Sequence, residues 1–184
     1  MNKRKLLAMK RRTLCHELGH ALYFLKEIEP VYYVKERNIC GIDVKRQSTL
    51  HVYLADDGFR GVFHSNGFLF HNETQVPAEI NVCYTLAGYA MENAIYYHGL
   101  AMLPFDKIFE EAEEGDDFDL ICNLIEKGAF NGSAEDLWHR MTLFSLPYRN
   151  KIYKQVLAMT QDIEKLEDDI SLSEPEILRI LGLS

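Results

Sequence analysis

The sequence lacks several features that would assign it to a common class of protein. No apolar run reaches the roughly 20 residues that a membrane-spanning helix needs, and the N-terminus has no apolar stretch with a small-residue cleavage site, so no signal peptide is expected. The 184 residues contain no C-x-x-C pair, no repeat and no low-complexity tract. The expected location is cytoplasmic, with the four cysteines as reduced and mostly buried thiols.

Basic residues are in the minority. The chain carries 20 Lys and Arg against 28 Asp and Glu, for a net charge of −8, and sequence-independent binding of nucleic acid needs a basic face. Nucleic acid is therefore not an expected partner. The basic residues near the N-terminus are interpreted as the solvated face of a first helix rather than as a phosphate-binding patch. They are Lys3, Arg4, Lys5, Lys10, Arg11 and Arg12.

Hydrophobic periodicity predicts one mostly α-helical α+β domain over residues 1–184. Apolar residues recur at helical spacing over residues 4–26, and Pro30 is expected to follow the end of that helix. Residues 31–72 predict a small antiparallel sheet of three or four strands after the first helix. Its strand-like runs are 31–34, 49–54 and 61–63, with a turn signal at Asp56-Asp57-Gly58.

The rest of the chain is predicted to be helical. A capping box formed by Ser173 and Glu176 is expected to begin the last helix. The other predicted helices cover residues 78–98, 104–114, 117–128, 134–145 and 148–168.

The segment TLCHELGHAL, residues 13–22, contains the pattern H-E-x-x-H. His16 and His20 are four residues apart, which places both imidazoles on one face of a helix, where they can bind one metal ion. Glu17 is offset by about 100° from His16, which suits a general base. In this arrangement zinc lowers the pKa of its water, Glu17 takes the proton, and hydroxide attacks a polarised carbonyl. The pattern therefore predicts Zn2+ as cofactor and hydrolysis of peptide bonds.

The same pattern also occurs in ordinary amphipathic helices, so its surroundings matter. Apolar neighbours such as Leu14 and Leu18 predict partial burial, and burying two imidazoles and a carboxylate without partners is costly. A shared metal removes that cost. Gly19 weakens a helix by about 1 kcal/mol, so we expect another backbone or a substrate to approach closely there.

A catalytic zinc has three protein ligands and one open position, and spacing alone does not identify the third ligand. The candidate carboxylates are Glu79, Glu92, Asp116, Asp117, Asp119, Glu135 and Asp136.

Several segments, taken in order, resemble the peptidase domain of FtsH-type zinc metalloproteases. They are RRTLCHELGHALYFL at 11–25, GFRGV at 58–62, LAGYAME at 86–92 and a G-x-x-x-D-L element at 115–120 and again at 132–137. The resemblance implies a helical domain with a small sheet after the first helix, and a zinc site completed by Asp119 or, from the second copy, Asp136. It also implies that Glu92 orients a ligand histidine. Either copy also fits a helix cap, formed by Asp116 with Asp119 or by Ser133 with Asp136.

The resemblance also bears on partners. The 184 residues contain no G-x-x-x-x-G-K-[ST] phosphate loop. The resemblance therefore implies a stand-alone relative without the AAA ATPase module. The expected partners are a polypeptide substrate and either further copies of the chain, as a homo-oligomer, or a separate ATPase. Two alternatives stay open. One is a repressor-cleaving regulatory metallopeptidase with Glu79 as third ligand, and the other is a non-catalytic, metal-stabilised module that binds a protein.

Overall fold

A computed structural model describes residues 2–32, 38–39, 42–43, 47–65, 76–96, 121–123, 126 and 133–183. This part of the chain is mostly helical with a small antiparallel sheet, which confirms the predicted fold class. The helices are α1 (Lys3–Tyr23), α2 (Glu29–Tyr32), α3 (Ala78–Tyr96), α4 (Ala134–Ser145), α5 (Arg149–Met159) and α6 (Glu174–Leu181). A π-helical turn, Phe24–Ile28, joins α1 to α2, and a 3-10 turn covers Ile163–Lys165. None of the helices in these ranges is long and apolar enough to cross a membrane.

The strands are β1 (Asn38–Ile39), β2 (Ile42–Asp43), β3 (Ser48–Ala55), β4 (Gly58–Ser65) and β5 (Ile170–Ser173). β1 pairs with β2, and the other three strands form an antiparallel sheet in the order β4-β3-β5. Leu50 of β3 lies opposite Phe63 of β4 and Leu172 of β5. Buried Leu50 and Val52 alternate with exposed His51 and Tyr53, so one face of the sheet covers the core.

The hairpin is confirmed, and so are three helix predictions, of which the one at 78–98 is α3. β3 and β4 contain the predicted runs 49–54 and 61–63, and Asp56–Asp57 form the turn between them. α4 has the predicted bounds, and the capping box of Ser173 and Glu176 begins α6. Of the predicted helix at 117–128, residues 121–123 and 126 are helical, while the predicted helix at 104–114 lies outside the described residues.

Three local predictions are wrong. Val31 and Tyr32 belong to α2 because the helical path continues through the π-turn. Pro30, which was expected to follow the end of the first helix, lies inside this continuous helical path, as the second residue of α2. The helix predicted at 148–168 ends at Met159. The third strand of the larger sheet is β5, which comes from the C-terminal part of the chain. β5 forms because Leu172 packs inward against the sheet core while Ser171 and Ser173 remain exposed.

The first helix is the centre of the core. α1 packs against α3 on one side and against β4 on another. Gly19 permits the close crossing of α1 and α3, because a Cβ atom there would collide with the Ala87 carbonyl oxygen and lie 2.9 Å from Met91 Cβ. The close approach expected at Gly19 is therefore that of the α3 backbone. This crossing brings the H-E-x-x-H turn of α1 against the middle of α3.

Candidate metal centre and active site

The H-E-x-x-H residues lie in the interior, at the junction of α1, α3 and β4. Glu17 and His20 are buried, and the side chain of His16 is 14% exposed. Burial of these three polar groups requires each to have a partner. The contacts of the two rings show how the structure meets that requirement.

The two imidazoles face one another through their Nε2 atoms. The Nε2 atoms of His16 and His20 are 2.9 Å apart, and the ring planes meet at 74° with their centroids 4.6 Å apart. The four-residue spacing on α1 produces this convergence because it places both side chains on one face of the helix. Both Nε2 atoms are therefore directed at one point.

The Nδ1 atoms of the same rings each face a hydrogen-bond acceptor. His20 Nδ1 lies 2.9 Å from the Tyr84 carbonyl oxygen, and His16 Nδ1 lies 2.6 Å from Glu92 Oε1. A carbonyl oxygen and an ionised carboxylate only accept, so Nδ1 carries the hydrogen in both rings. In the neutral rings both Nε2 lone pairs then point at each other. Two facing lone pairs repel, so the contact is favourable when one Nε2 is protonated and donates to the other, or when a metal ion lies between the two nitrogens.

This donor set fits a zinc ion. Zinc binds imidazole nitrogen at about 2.0–2.1 Å in tetrahedral geometry, which places two nitrogen ligands about 3.3 Å apart. Starting from the observed 2.9 Å, the two Nε2 atoms need to separate by only about 0.4 Å. Metal-binding histidines commonly donate the other ring N–H to a carboxylate or a backbone carbonyl. Glu92 and Tyr84 provide one acceptor of each kind.

Glu92 is buried rather than solvent-facing and joins two residues of α1. Its Oε1 accepts from His16, and its Oε2 accepts from Arg12 Nε. Burial raises the pKa of Glu92, but the hydrogen bonds and positive charge of His16 and Arg12 outweigh it and leave the pKa below its usual value. The carboxylate therefore stays ionised and oriented toward His16.

Glu17 faces β4. A Cβ atom at Gly61 would come within 2.7 Å of Glu17 Oε1 and 2.8 Å of Cδ, so only glycine leaves room for this side chain. The Thr13 hydroxyl donates to the Phe59 carbonyl oxygen at 3.4 Å and ties β4 to α1. β4 thus lies directly against the glutamate that the sequence predicts as the general base.

Residues of α3 surround the two rings. A Cβ atom at Gly88 would lie 2.6 Å from His16 Nε2, so the ring rests against the helix backbone. Tyr89 contacts His16 edge to face, with ring centroids 4.8 Å apart, and Tyr84 stacks on His20 at the same centroid distance. The rings are thereby enclosed on several sides.

Of the two aspartates predicted as third ligand, only Asp136 belongs to the described residues. Asp116, Asp117 and Asp119 lie outside the described residues. Asp136 is exposed in the first turn of α4, where its N–H donates to the Ser133 hydroxyl at the N-cap. In the ranges that the structure describes, no group of three or more His, Cys, Asp or Glu residues is arranged to hold a metal. Assignment of the third ligand stays a prediction.

The other two candidate carboxylates lie at the ends of neighbouring helices. Glu79, near the start of α3, accepts from Arg140 at 2.7 Å. Glu135, in the first turn of α4, is exposed.

Four residues of the site were not predicted from the sequence: Arg12, Gly61, Tyr84 and Gly88. The charge pattern favours a solvated face for Arg12, although its position four residues before His16 places both on one side of α1. The Tyr84 contact uses a backbone carbonyl, which leaves no signature in the sequence. The two glycines each lie in a segment of the family resemblance, but only the fold shows what lies against them.

Comparison with known proteins adds no independent assignment. No protein-family model, no curated protein and no solved structure matches this chain. The resemblance to FtsH-type peptidases therefore depends on its motifs alone.

Proposed function

We propose that this protein is a zinc-dependent metallopeptidase that hydrolyses peptide bonds in proteins or unfolded polypeptides. One observation carries the proposal: the Nε2 atoms of His16 and His20 converge at 2.9 Å while both Nδ1 atoms are held by acceptors. Glu17 is buried beside this pair on the same turn of α1. Two ring nitrogens and an adjacent carboxylate would supply two metal ligands and a general base for metal-assisted hydrolysis.

The residues of the chain have separate roles in this proposal. His16 and His20 would hold the zinc, and Asp119, or alternatively Asp136, would complete its ligands. When bound there, zinc would supply polarisation of the substrate carbonyl and a lowered pKa of the attacking water. Glu17 accepts the proton of the attacking water and returns it to the leaving amine. Glu92 and the Tyr84 carbonyl keep the two rings in the orientation that directs Nε2 inward.

The sheet offers a place for the substrate backbone. β4 pairs with β3 on one side only, and in the described ranges no strand pairs with its other side. An extended polypeptide can add to such an edge by main-chain hydrogen bonds, which gives affinity for many sequences. Because Gly61 of β4 touches Glu17, a strand added there would pass the general base.

The ion pair of Glu79 supports the assignment of the third ligand to an aspartate. Glu79 accepts from Arg140 at 2.7 Å, whereas a ligand carboxylate would have to be directed at the histidine pair. Asp119 is preferred because the family element that it matches follows the L-A-G helix closely.

Metal content is the first test. Purified protein should contain about one zinc per chain, and His16→Ala should lose it. The matched control is His139→Ala, which removes an exposed histidine of α4 and should keep the metal. Absence of zinc from the parent after incubation with zinc would refute the proposal.

Cleavage is the second test. With zinc present, the parent should degrade an unfolded fluorescent polypeptide, whereas Glu17→Gln should retain zinc and lose cleavage. Glu27→Gln, at an exposed position farther along the same helical segment, should cleave like the parent. A Glu17→Gln variant as active as the parent would refute the mechanism, and zinc bound without any cleavage would favour a non-catalytic module.

A further inference from the structure

Arg12, Glu92 and His16 form a chain of contacts that ends at a proposed zinc ligand. Glu92 bridges the two α1 residues, with Oε2 accepting from Arg12 Nε and Oε1 accepting from His16 Nδ1 at 2.6 Å. Arg12 and His16 are four residues apart, so both side chains reach α3 from one face of α1. The carboxylate is therefore held at both of its oxygens by a single helix.

The two ends of this chain differ in exposure. The side chain of Glu92 is 10% exposed, whereas that of Arg12 is 48% exposed. An ion pair with a half-exposed arginine contributes little to stability. Its geometric effect is different, because a carboxylate held at only one oxygen can rotate and turn its other oxygen away from the imidazole.

We propose that Arg12 is a positioning residue, which holds the Glu92 carboxylate against His16 and thereby strengthens metal binding at the histidine pair. This inference rests on the proposed metal site. Arg12 touches neither substrate nor metal and acts only through Glu92. The planar guanidinium suits this role because its N–H groups have fixed directions, unlike those of a lysine ammonium.

Simple charge repulsion predicts the opposite effect. A positive side chain near a divalent cation weakens metal binding, so removing that charge should increase the affinity for zinc. If Arg12 positions Glu92, removing it should instead decrease the affinity. The direction of the change therefore separates the two accounts.

The test measures zinc affinity by competition with a chromophoric chelator. Arg12→Gln should weaken zinc binding about tenfold, as expected when support of a ligand histidine is removed, and Arg12→Lys should give an intermediate value. The matched control is Arg11→Gln, which removes the same charge from the adjacent residue, whose Nε donates to Thr160 Oγ1 at 2.8 Å. It should bind zinc as tightly as the parent or slightly more tightly.

A double variant tests whether Arg12 acts through Glu92. Glu92→Gln alone should weaken zinc binding, and adding Arg12→Gln to it should produce no further loss. The absorption spectrum of the cobalt-substituted protein should change in Arg12→Gln and stay unchanged in Arg11→Gln, which a purely structural role of Arg12 would not produce. If Arg12→Gln fails to fold, as judged by circular dichroism, Arg12→Lys carries the same comparison.

The outcomes separate this inference from the proposed function. If the parent binds zinc and Arg12→Gln binds it equally or more tightly, the positioning role is wrong and the metal site stands. If the parent binds no zinc, both proposals are wrong.

Discussion

Gly88 of α3 lies directly against the imidazole of His16. A Cβ atom at this position would be 2.6 Å from Nε2 and 2.7 Å from both Cδ2 and Cε1. Real carbon atoms do not approach so closely, so any larger residue must displace the ring. The atom that it would displace most directly is the nitrogen assigned to the metal.

Gly88→Ala should therefore weaken zinc binding by about tenfold, because the ring moves away from its acceptor on Glu92. Its effect on stability should be about 1 kcal/mol, since alanine favours the helix and partly offsets the overpacking. The comparison variant is Gly19→Ala. Its added methyl group would collide with the backbone at Ala87, so the free energy of unfolding should fall by about 3 kcal/mol. Chelator competition and chemical denaturation measure the two effects, and unchanged zinc affinity in Gly88→Ala would contradict the expectation.

Gly61→Ala should affect the general base rather than the metal. The added methyl group would overlap Glu17, because its carbon would lie 2.7 Å from Glu17 Oε1. We expect the rate of cleavage to fall at least tenfold, as part of the roughly 10²–10⁴-fold that general base catalysis contributes is lost, while zinc binding stays within about twofold of the parent. Titration of zinc beside a cleavage assay checks both values. Loss of zinc together with activity would show that Gly61 supports the whole site.

Three single substitutions identify the third ligand. Asp119→Ala should lower zinc affinity more than a hundredfold, beyond the about 10–100-fold effect of removing a group that only orients a ligand. Asp136→Ala and Glu79→Ala should leave it nearly unchanged, since Asp136 lies at an exposed helix start and Glu79 pairs with Arg140. Zinc titration of the three variants gives the answer. Loss of metal in Glu79→Ala alone would instead favour the repressor-cleaving type of peptidase.

Lys10 connects α1 to the C-terminal part of the chain. Its Nζ donates to the carbonyl oxygens of Lys165, Leu166 and Asp168 at 3.2, 2.9 and 2.6 Å. Lys10→Met should lower the free energy of unfolding by about 1–3 kcal/mol, because one buried and two partly buried carbonyl contacts lose their charged donor. Lys5→Met, at an exposed position of the same helix, should change it by less than about 0.5 kcal/mol. Urea denaturation of metal-free protein measures both, and equal values would contradict this role of Lys10.

The thiol of Cys83 should make stability fall at alkaline pH. Burial raises the pKa of Cys83, although the hydrogen bond from Arg140 opposes it. The unfolded chain releases this proton above about pH 8.5 while the folded chain keeps it, so the free energy of unfolding decreases with rising pH by up to about 1.4 kcal/mol per unit. Cys83→Ala should show a shallower decrease between about pH 8.5 and 10. Thr85→Ala, buried on the same helix and without a titrating group, should keep the slope of the parent.

Local patterns were sufficient for much of the fold. The alternation in β3 and the turn at Asp56–Asp57 predicted the hairpin, and the capping box predicted the start of α6. β5 was missed because a four-residue strand has little pattern of its own and its partner, β3, is about 120 residues earlier. Val31 and Tyr32 favour strands by composition, but the helix that precedes them continues to Tyr32.

The candidate site was also only partly predictable from the sequence. The spacing of His16 and His20 identified the pair, because two residues four apart must share a helix face. Spacing did not identify their acceptors, since Glu92 and the Tyr84 carbonyl come from α3 and depend on how two helices cross. The contact of Arg12 with Glu92 was not predicted either, because a charged side chain at this position fits a solvated surface equally well.

The contacts of Lys10 and β5 join the first helix and the hairpin to the last part of the chain that is synthesised. Lys10 and Leu166 are 156 residues apart, and β5 closes one edge of β3 only after residues 170–173 have been made. Contacts of such long range form late, since the chain must first close a large loop. We therefore expect a nascent chain on the ribosome to form α1 before Lys10 has made its contacts with the C-terminal part of the chain. Such a chain would emerge from the ribosome before the contacts of Lys10 and β5 are in place.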